Sequence, residues 1–304
     1  IGLLRALAAE EFAKLRYEDA EKARAKAAAS AVAELAERKK AERAEAQTLA
    51  DYRASTGDAI EQLIGSKPEL GMQERAYLEM TLKRWEEYAA RQGDDEHSRD
   101  IRGEGHFNVA VLWQKLGDKE KAQAEFQTAR AIKQSLVDEF PHVPAYQLSL
   151  ANTRHNLAVL LADSGDVLKA RAEYEATRDI KQKLVRQYPN KPAYQQYLAG
   201  THNNLGHLLD GQGRSEEARV EYEAGRDIQA KLVVQFPNKA EYQQDLARIL
   251  ENLGILLARQ KKFQEAKSAF QEACSIREKL CEQFPAVPEY QAGLANTHHN
   301  LGVL

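Results

Sequence analysis

Apolar positions between residues 119 and 140 fall at Ala122, Phe126, Ala129, Ile132, Leu136 and Phe140. Steps of three and four trace one face of an α-helix. The same face returns 48 residues later as Ala170, Tyr174, Ile180 and Leu184, then as Ala218, Tyr222, Ile228 and Leu232, and again as Ala266, Phe270, Ile276 and Leu280. A second helical series precedes each of these faces: Leu150 and Leu157, Leu198 and Leu205, Leu246 and Leu253, Leu294 and Leu301. Polar residues fill the other sides. The pattern predicts pairs of amphipathic helices.

Three further columns keep the same 48-residue period: Asn108, Asn156, Asn204, Asn252 and Asn300; Pro141, Pro189, Pro237 and Pro285, each after Phe or Tyr; and Tyr146, Tyr194, Tyr242 and Tyr290. Such a period identifies a solenoid, whose units bury their apolar faces against one another. Gly117, Gly165 and Gly213 mark the end of each first helix, with Lys261 in the fourth place. Pro144, Pro192 and Pro288 suit a first helical turn. Asp118 and Asp166 are N-cap residues for the second helix, which in the third unit starts near Ser215. The second helix stops at the aromatic-Pro column. The Tyr column reads as corner packing against that aromatic.

The pattern changes upstream. Residues 1–46 are rich in Ala, Glu, Lys and Arg, all strong helix formers. Leu4, Leu7, Leu15, Val32 and Leu35 sustain no heptad there. This predicts a long exposed helix, a stalk or weak coiled coil open to self-association. Residues 47–95 read as a helical hairpin lacking the repeat signature, an N-terminal cap, with helices over 47–64 and 71–92 separated by Gly65-Ser66-Lys67-Pro68. The array occupies 96–304, its fifth repeat truncated. The chain starts without Met and stops in mid-unit, so it reads as an excerpt of a longer protein.

Asn204-Leu205-Gly206, Leu209, Gly213, Ala218 and Tyr222 resemble the tetratricopeptide repeat, as do Asn252-Leu253-Gly254, Leu257, Ala266, Phe270 and Ala273. Ala110 and Ala158 stand where that pattern has Gly. The long unit resembles the repeat of kinesin light chains. The resemblance implies an all-α fold, a right-handed α-solenoid of antiparallel helix pairs, here preceded by a long N-terminal helix. It also implies a concave groove faced by the residue before the conserved Leu. The whole layout, with units ending in Phe-Pro-x-x-Pro-x-Tyr-Gln, resembles the C-terminal region of planctomycete-type serine/threonine protein kinases. In those proteins a kinase domain, and often a membrane segment, precedes the array. No kinase motif stands in this chain.

The Asn column is then the candidate site. Asparagine is a mediocre helix former, and its amide can pair with both the C=O and the N–H of an extended peptide. The alternative is an Asn bonded to the adjacent helix backbone. The preceding residues vary: Phe107, His155, Asn203, Glu251 and His299. One turn beyond lie Val111, Val159, His207, Ile255 and Val303. The candidate peptide-binding set is Asn108, Asn156, Asn204, Asn252, Asn300, His155, His207, Asn203 and Glu251. A constant amide ladder with variable flanks suits backbone capture with local selection.

A net charge of −3 offers no basic face for nucleic acid. No run of 18 apolar residues suggests a membrane span. Cys274 and Cys281, two turns apart on one helix, are separated by about 10 Å, too far for a disulfide. His155, His202, His207, His298 and His299 belong to repeat columns and form no zincin-like pair, so neither metal nor cofactor is expected. No catalytic motif is found. A protein or peptide partner is the leading expectation, and a structural spacer or self-association module is the competing one.

Overall fold

The computed structural model describes residues 2–64 and 71–304, and those residues contain helices and no strand. It divides into two compact units, Ile1–Thr81 and Leu82–Leu304. In the first, α1 runs unbroken over Gly2–Ile64. The boundary expected at 46/47 therefore falls inside a helix, because residues 40–56 contain neither Gly nor Pro to end it. From residue 14 to 40 every α1 side chain is exposed. The expected Gly65–Pro68 stop lies outside the described residues. Helix α2, Met72–Ala89, spans the division between the units.

The second unit carries the array. Helices α3 (Glu96–Leu116) and α4 (Lys119–Glu139) form repeat 1; α5 (Pro144–Asp163) and α6 (Val167–Gln187) repeat 2. Repeat 3 is α7 (Pro192–Gly211) and α8 (Ser215–Gln235), repeat 4 is α9 (Ala240–Arg259) and α10 (Phe263–Gln283), and α11 (Pro288–Val303) opens the fifth. Each helix packs on its neighbours in sequence, as in a solenoid.

Local chemistry sets the boundaries. Asp118 and Asp166 accept the N–H of Lys121 and Lys169 as N-caps. In the third repeat the second helix starts at Ser215, as expected, behind Arg214, which makes no side-chain cap. The first helices end in a left-handed residue, Gly117, Gly165 or Gly213, and in the fourth repeat Lys261 adopts the same geometry at φ 62°. At each corner the aromatic before Pro meets the Tyr column edge-on. Phe140–Tyr146, Tyr188–Tyr194, Phe236–Tyr242 and Phe284–Tyr290 have ring centroids 5.8–6.1 Å apart. The Gln after each Tyr donates to the carbonyl of the corner proline, as Gln195 does to Pro189 at 2.9 Å. Gln147, Gln243 and Gln291 repeat the bond.

The core consists of clusters of Leu, Ala and aromatic residues between the paired helices. Tyr174, Leu205, Leu209, Tyr222, Leu253, Leu257 and Phe270 form a single cluster across repeats 2 to 4. Leu294 and Leu301 of α11 are partly exposed, whereas Leu150, Leu157, Leu198, Leu205, Leu246 and Leu253 in the same columns are buried.

A charged seam joins successive repeats. Glu173 takes Arg154 of its own repeat at 2.7 Å and Arg130 of the preceding one. Glu221 takes His202 at 2.6 Å and Arg178 at 2.8 Å in the same arrangement. In repeat 4 these two columns become Leu250 and Ala269, both buried together, and Arg226 turns instead to Asp227.

Candidate functional site

The Asn column lies on the first helices, half-buried in all five repeats. Its bonding follows a rule. Each amide reaches back to the residue that precedes the Asn of the previous repeat, provided that residue can accept. Asn252 Nδ2 donates to Asn203 Oδ1 at 2.9 Å, and Asn300 Nδ2 to Glu251 Oε1 at 3.1 Å. Asn204 Nδ2 lies 3.3 Å from His155 Nε2. For Asn156 the corresponding residue is Phe107, which has no acceptor, and its amide bonds the Asn152 carbonyl on its own helix at 2.9 Å. Asn108, in the first repeat, bonds Glu104 O at 2.8 Å. Sequence reasoning offered peptide capture or the adjacent backbone as partners. The observed partner in three repeats is a side chain of the previous unit.

These bonds use one N–H of each amide and leave the other polar atoms of Asn252 for further partners. Asn203, Asn204, His207, Arg248 and Asn252 line one open cleft of 550 Å³ together with Val159, Tyr174 and Leu208. The walls come from α5, α6, α7 and α9. A second cleft of 330 Å³ is lined by Asn300, His299, Ile255, Phe263 and Phe270. Of the expected site residues, the structure thus gathers Asn203, Asn204, His207 and Asn252. Asn108, Asn156, His155 and Glu251 stand outside the wall of that larger cleft.

His155 is held neutral. Burial, and then the positive charge of Lys181, pushes its pKa down to about 3. Its ring packs edge-on against Tyr174 at 5.5 Å, where repeat 1 has Phe107 on Phe126 at 5.8 Å. If Asn204 donates to Nε2, the ring proton sits on Nδ1, which is buried without a partner.

A column overlooked in the sequence runs beside the ladder. Lys133, Lys181, Gln229 and Arg277 stand 48 residues apart on the second helices, and all four are buried. Lys181 Nζ donates to Thr201 Oγ1 at 3.1 Å, and Arg277 donates to Thr297 Oγ1 on the equivalent first helix. Where the partner column has Ile249, the cation is replaced by Gln229, which donates to the Tyr242 carbonyl at 3.0 Å. The signal was available as a strict period, but Lys and Arg on an amphipathic helix read as solvated residues.

Comparisons with known proteins agree with this architecture. The tetratricopeptide repeat family model matches residues 246–285. No curated protein sequence matches the chain. Among solved structures, BtubC (BKLC) from P. vanneervenii is similar over 77% of this chain and 79% of its own, at 21% identity and TM-score 0.52. A single-substitution variant of a Podosopora anserina kinesin light chain candidate with nearly identical TPR-like repeats is similar over 79% of this chain and 97% of its own, at 18% identity and TM-score 0.51. The apo form of RapI is similar over 76% of this chain and 58% of its own, at 16% identity and TM-score 0.51.

Proposed function

Taking an array of long tetratricopeptide repeats as the starting point, we propose that this chain is a protein-interaction scaffold that captures an extended peptide along the first helices of repeats 2 to 4. The observation that supports it is the 550 Å³ cleft, whose polar wall is Asn203, Asn204, His207, Arg248 and Asn252. An extended peptide advances about 3.3 Å per residue, so amides on neighbouring helices meet roughly every third residue. Partners are selected from a peptide library against the whole chain, and their affinities measured by calorimetry. Asn204→Ala and Asn252→Ala should weaken binding. Asn156→Ala, whose amide serves its own helix outside the cleft wall, should not. Equal affinities in all three variants would remove the reading.

A spacer is the second reading, and the inter-repeat bonds of Asn204, Asn252 and Asn300 favour it. In that case no library peptide is retained by the parent or by any of the variants. We also place the array as the sensor or regulatory arm of a larger protein, such as a serine/threonine kinase, on the layout of helix, hairpin and repeats alone. The reading frame upstream of Ile1 tests this directly. Self-association through α1 rests on exposed Leu15, Tyr17, Val32 and Leu35. Sedimentation of the chain with Leu15, Val32 and Leu35 changed to Glu should then show a lower mass than the parent.

A further inference from the structure

The buried cation column is internally neutralised in some repeats and not in another. Lys133 Nζ lies 3.2 Å from Glu104 Oε2, and Arg277 Nη2 lies 2.9 Å from Glu251 Oε2. Each acid comes from the first helix of the same repeat. Repeat 3 avoids the problem with neutral Gln229. Repeat 2 keeps the cation, but the positions of Glu104 and Glu251 are occupied there by Asn152 and His155.

Among the described residues no carboxylate lies within ion-pair distance of Lys181. Its contacts are the Thr201 hydroxyl and the ring of Tyr197, whose centroid is 5.8 Å away. Thr201 already gives its own hydrogen to the Tyr197 carbonyl, so its oxygen faces the ammonium as an acceptor. A hydroxyl dipole and a ring face offset only part of the cost of burying a full charge. Burial lowers the Lys181 pKa to about 8, which still leaves the amine largely protonated at neutral pH. His155 beside it is neutral and adds no second charge.

We propose that Lys181, with Thr201, Asn152 and His155 around it, forms a carboxylate-receiving position: an acidic group of a bound chain supplies the counter-ion that Glu104 and Glu251 supply internally in repeats 1 and 4. Lys181 itself is buried, and the residues at those acids' positions are partly exposed. Asn152 is one methylene shorter than Glu104, Asn152 and His155 are both partly exposed, and Tyr197 is 41% exposed. The acid is a Glu or Asp side chain or a C-terminal carboxylate. This inference deepens the peptide-capture reading and rests on it for the identity of the ligand.

The test uses the whole chain and four probes: glutarate, an end-blocked alanine hexapeptide with a central Glu, an alanine hexapeptide with a free C-terminus, and an end-blocked alanine hexapeptide. An acidic peptide should bind about tenfold more tightly than the neutral one, the increment of a charge-assisted hydrogen bond. The two acidic peptides separate a side-chain source from a terminal one. The advantage should vanish in Lys181→Met and in Asn152→Glu, which rebuilds the acid of repeat 1. A second readout is acetylation of Lys181 at pH 8, mapped by mass spectrometry. Glutarate should slow it in the parent, and Asn152→Glu should slow it without any ligand. If neutral and acidic peptides bind alike, or the advantage survives both substitutions, this proposal is overturned and peptide capture stands. If glutarate protects Lys181 in the parent but no peptide binds, the position stands and peptide capture falls. If glutarate gives no protection and Asn152→Glu leaves the rate unchanged, the position does not exist.

Discussion

An asparagine in mid-helix has to find partners for an amide that the helix itself does not need. Here the previous repeat decides which partner it gets: an imidazole, an amide, a carboxylate or, with Phe107, none. Removing that bond should cost about 1 kcal/mol each in Asn204→Ala and Asn252→Ala, the net worth of a neutral hydrogen bond, read as a lowered unfolding midpoint. Leu205→Ala in the adjacent, fully buried column should cost about 2–5 kcal/mol. His155 makes stability pH-dependent. Its native pKa is about 3, against an ordinary value near 6.5. Between those values the unfolded chain binds more protons, so stability falls as pH drops from 6.5. Glu221 adds a later loss. Burial opposes its ionisation, but the hydrogen bond and charge of His202, with Arg178, hold its pKa below the usual carboxylate value. Its contribution is present above that usual value and disappears as pH falls through the lowered one. His155→Phe, which copies Phe107, should flatten the melting temperature between pH 6.5 and 5 and leave the more acidic loss in place.

At the scale of the helix, boundaries follow rules that a sequence displays. Pro144, Pro192 and Pro288 open their helices, Asp118 and Asp166 cap theirs, and the left-handed glycines close the turns. Lys261 breaks the glycine rule yet keeps its geometry. A non-glycine residue in that region costs about 1–2 kcal/mol, partly offset by the greater unfolded-state freedom of Gly. Lys261→Gly should therefore raise the melting temperature of repeat 4 by the equivalent of a few tenths to about 1 kcal/mol. Close approach is set the same way. A Cβ on Gly254 would stand 2.6 Å from the Phe270 ring, so Gly254→Ala should destabilise by about 1–3 kcal/mol through overpacking. Ala110 opposite Phe126 shows the alternative that repeat 1 reached by repacking. Legibility ended where residue type and environment disagree. The period, the core face and the Tyr corners could be read, because each is one residue type doing one job. The unbroken α1 could not, since the composition changes near residue 46, although residues 40–56 hold neither Gly nor Pro to stop the helix. Neither could the buried Lys133, Lys181 and Arg277, whose partners Glu104, Thr201 and Glu251 lie 20 to 29 residues away and become neighbours only after the helices pair. The larger cleft was legible only in part: Asn203, Asn204, His207 and Asn252 line it, whereas Asn156 does not.

For the whole array, stability is a chain of interfaces rather than one core, and the interfaces here are not alike. Repeats 1 to 3 are joined by the doubly bonded acids Glu173 and Glu221. Repeat 4 is joined to repeat 3 without that seam, through Leu250, Ala269 and the neutral Gln229. Its hold depends more on apolar contact, with Phe270 packed among Tyr222, Leu253 and Leu257. Phe270→Ala should remove about 3–5 kcal/mol at that place, as loss of a buried aromatic does. Because a solenoid passes strain only to its neighbours, hydrogen exchange should accelerate in α9, α10 and α11 while α3 to α6 keep their protection. Equal acceleration in every helix would mean that the array unfolds as a single cooperative block. The same substitution carries a functional consequence. Arg248 and Asn252 lie on α9 and form one wall of the larger cleft, so loosening repeat 4 should weaken any peptide held there although no cleft residue is altered. A carboxylate bound at Lys181, between α5, α6 and α7, should keep its affinity. The two readouts, measured on one variant, divide the groove into a part set by the apolar junction and a part set by the buried Lys181.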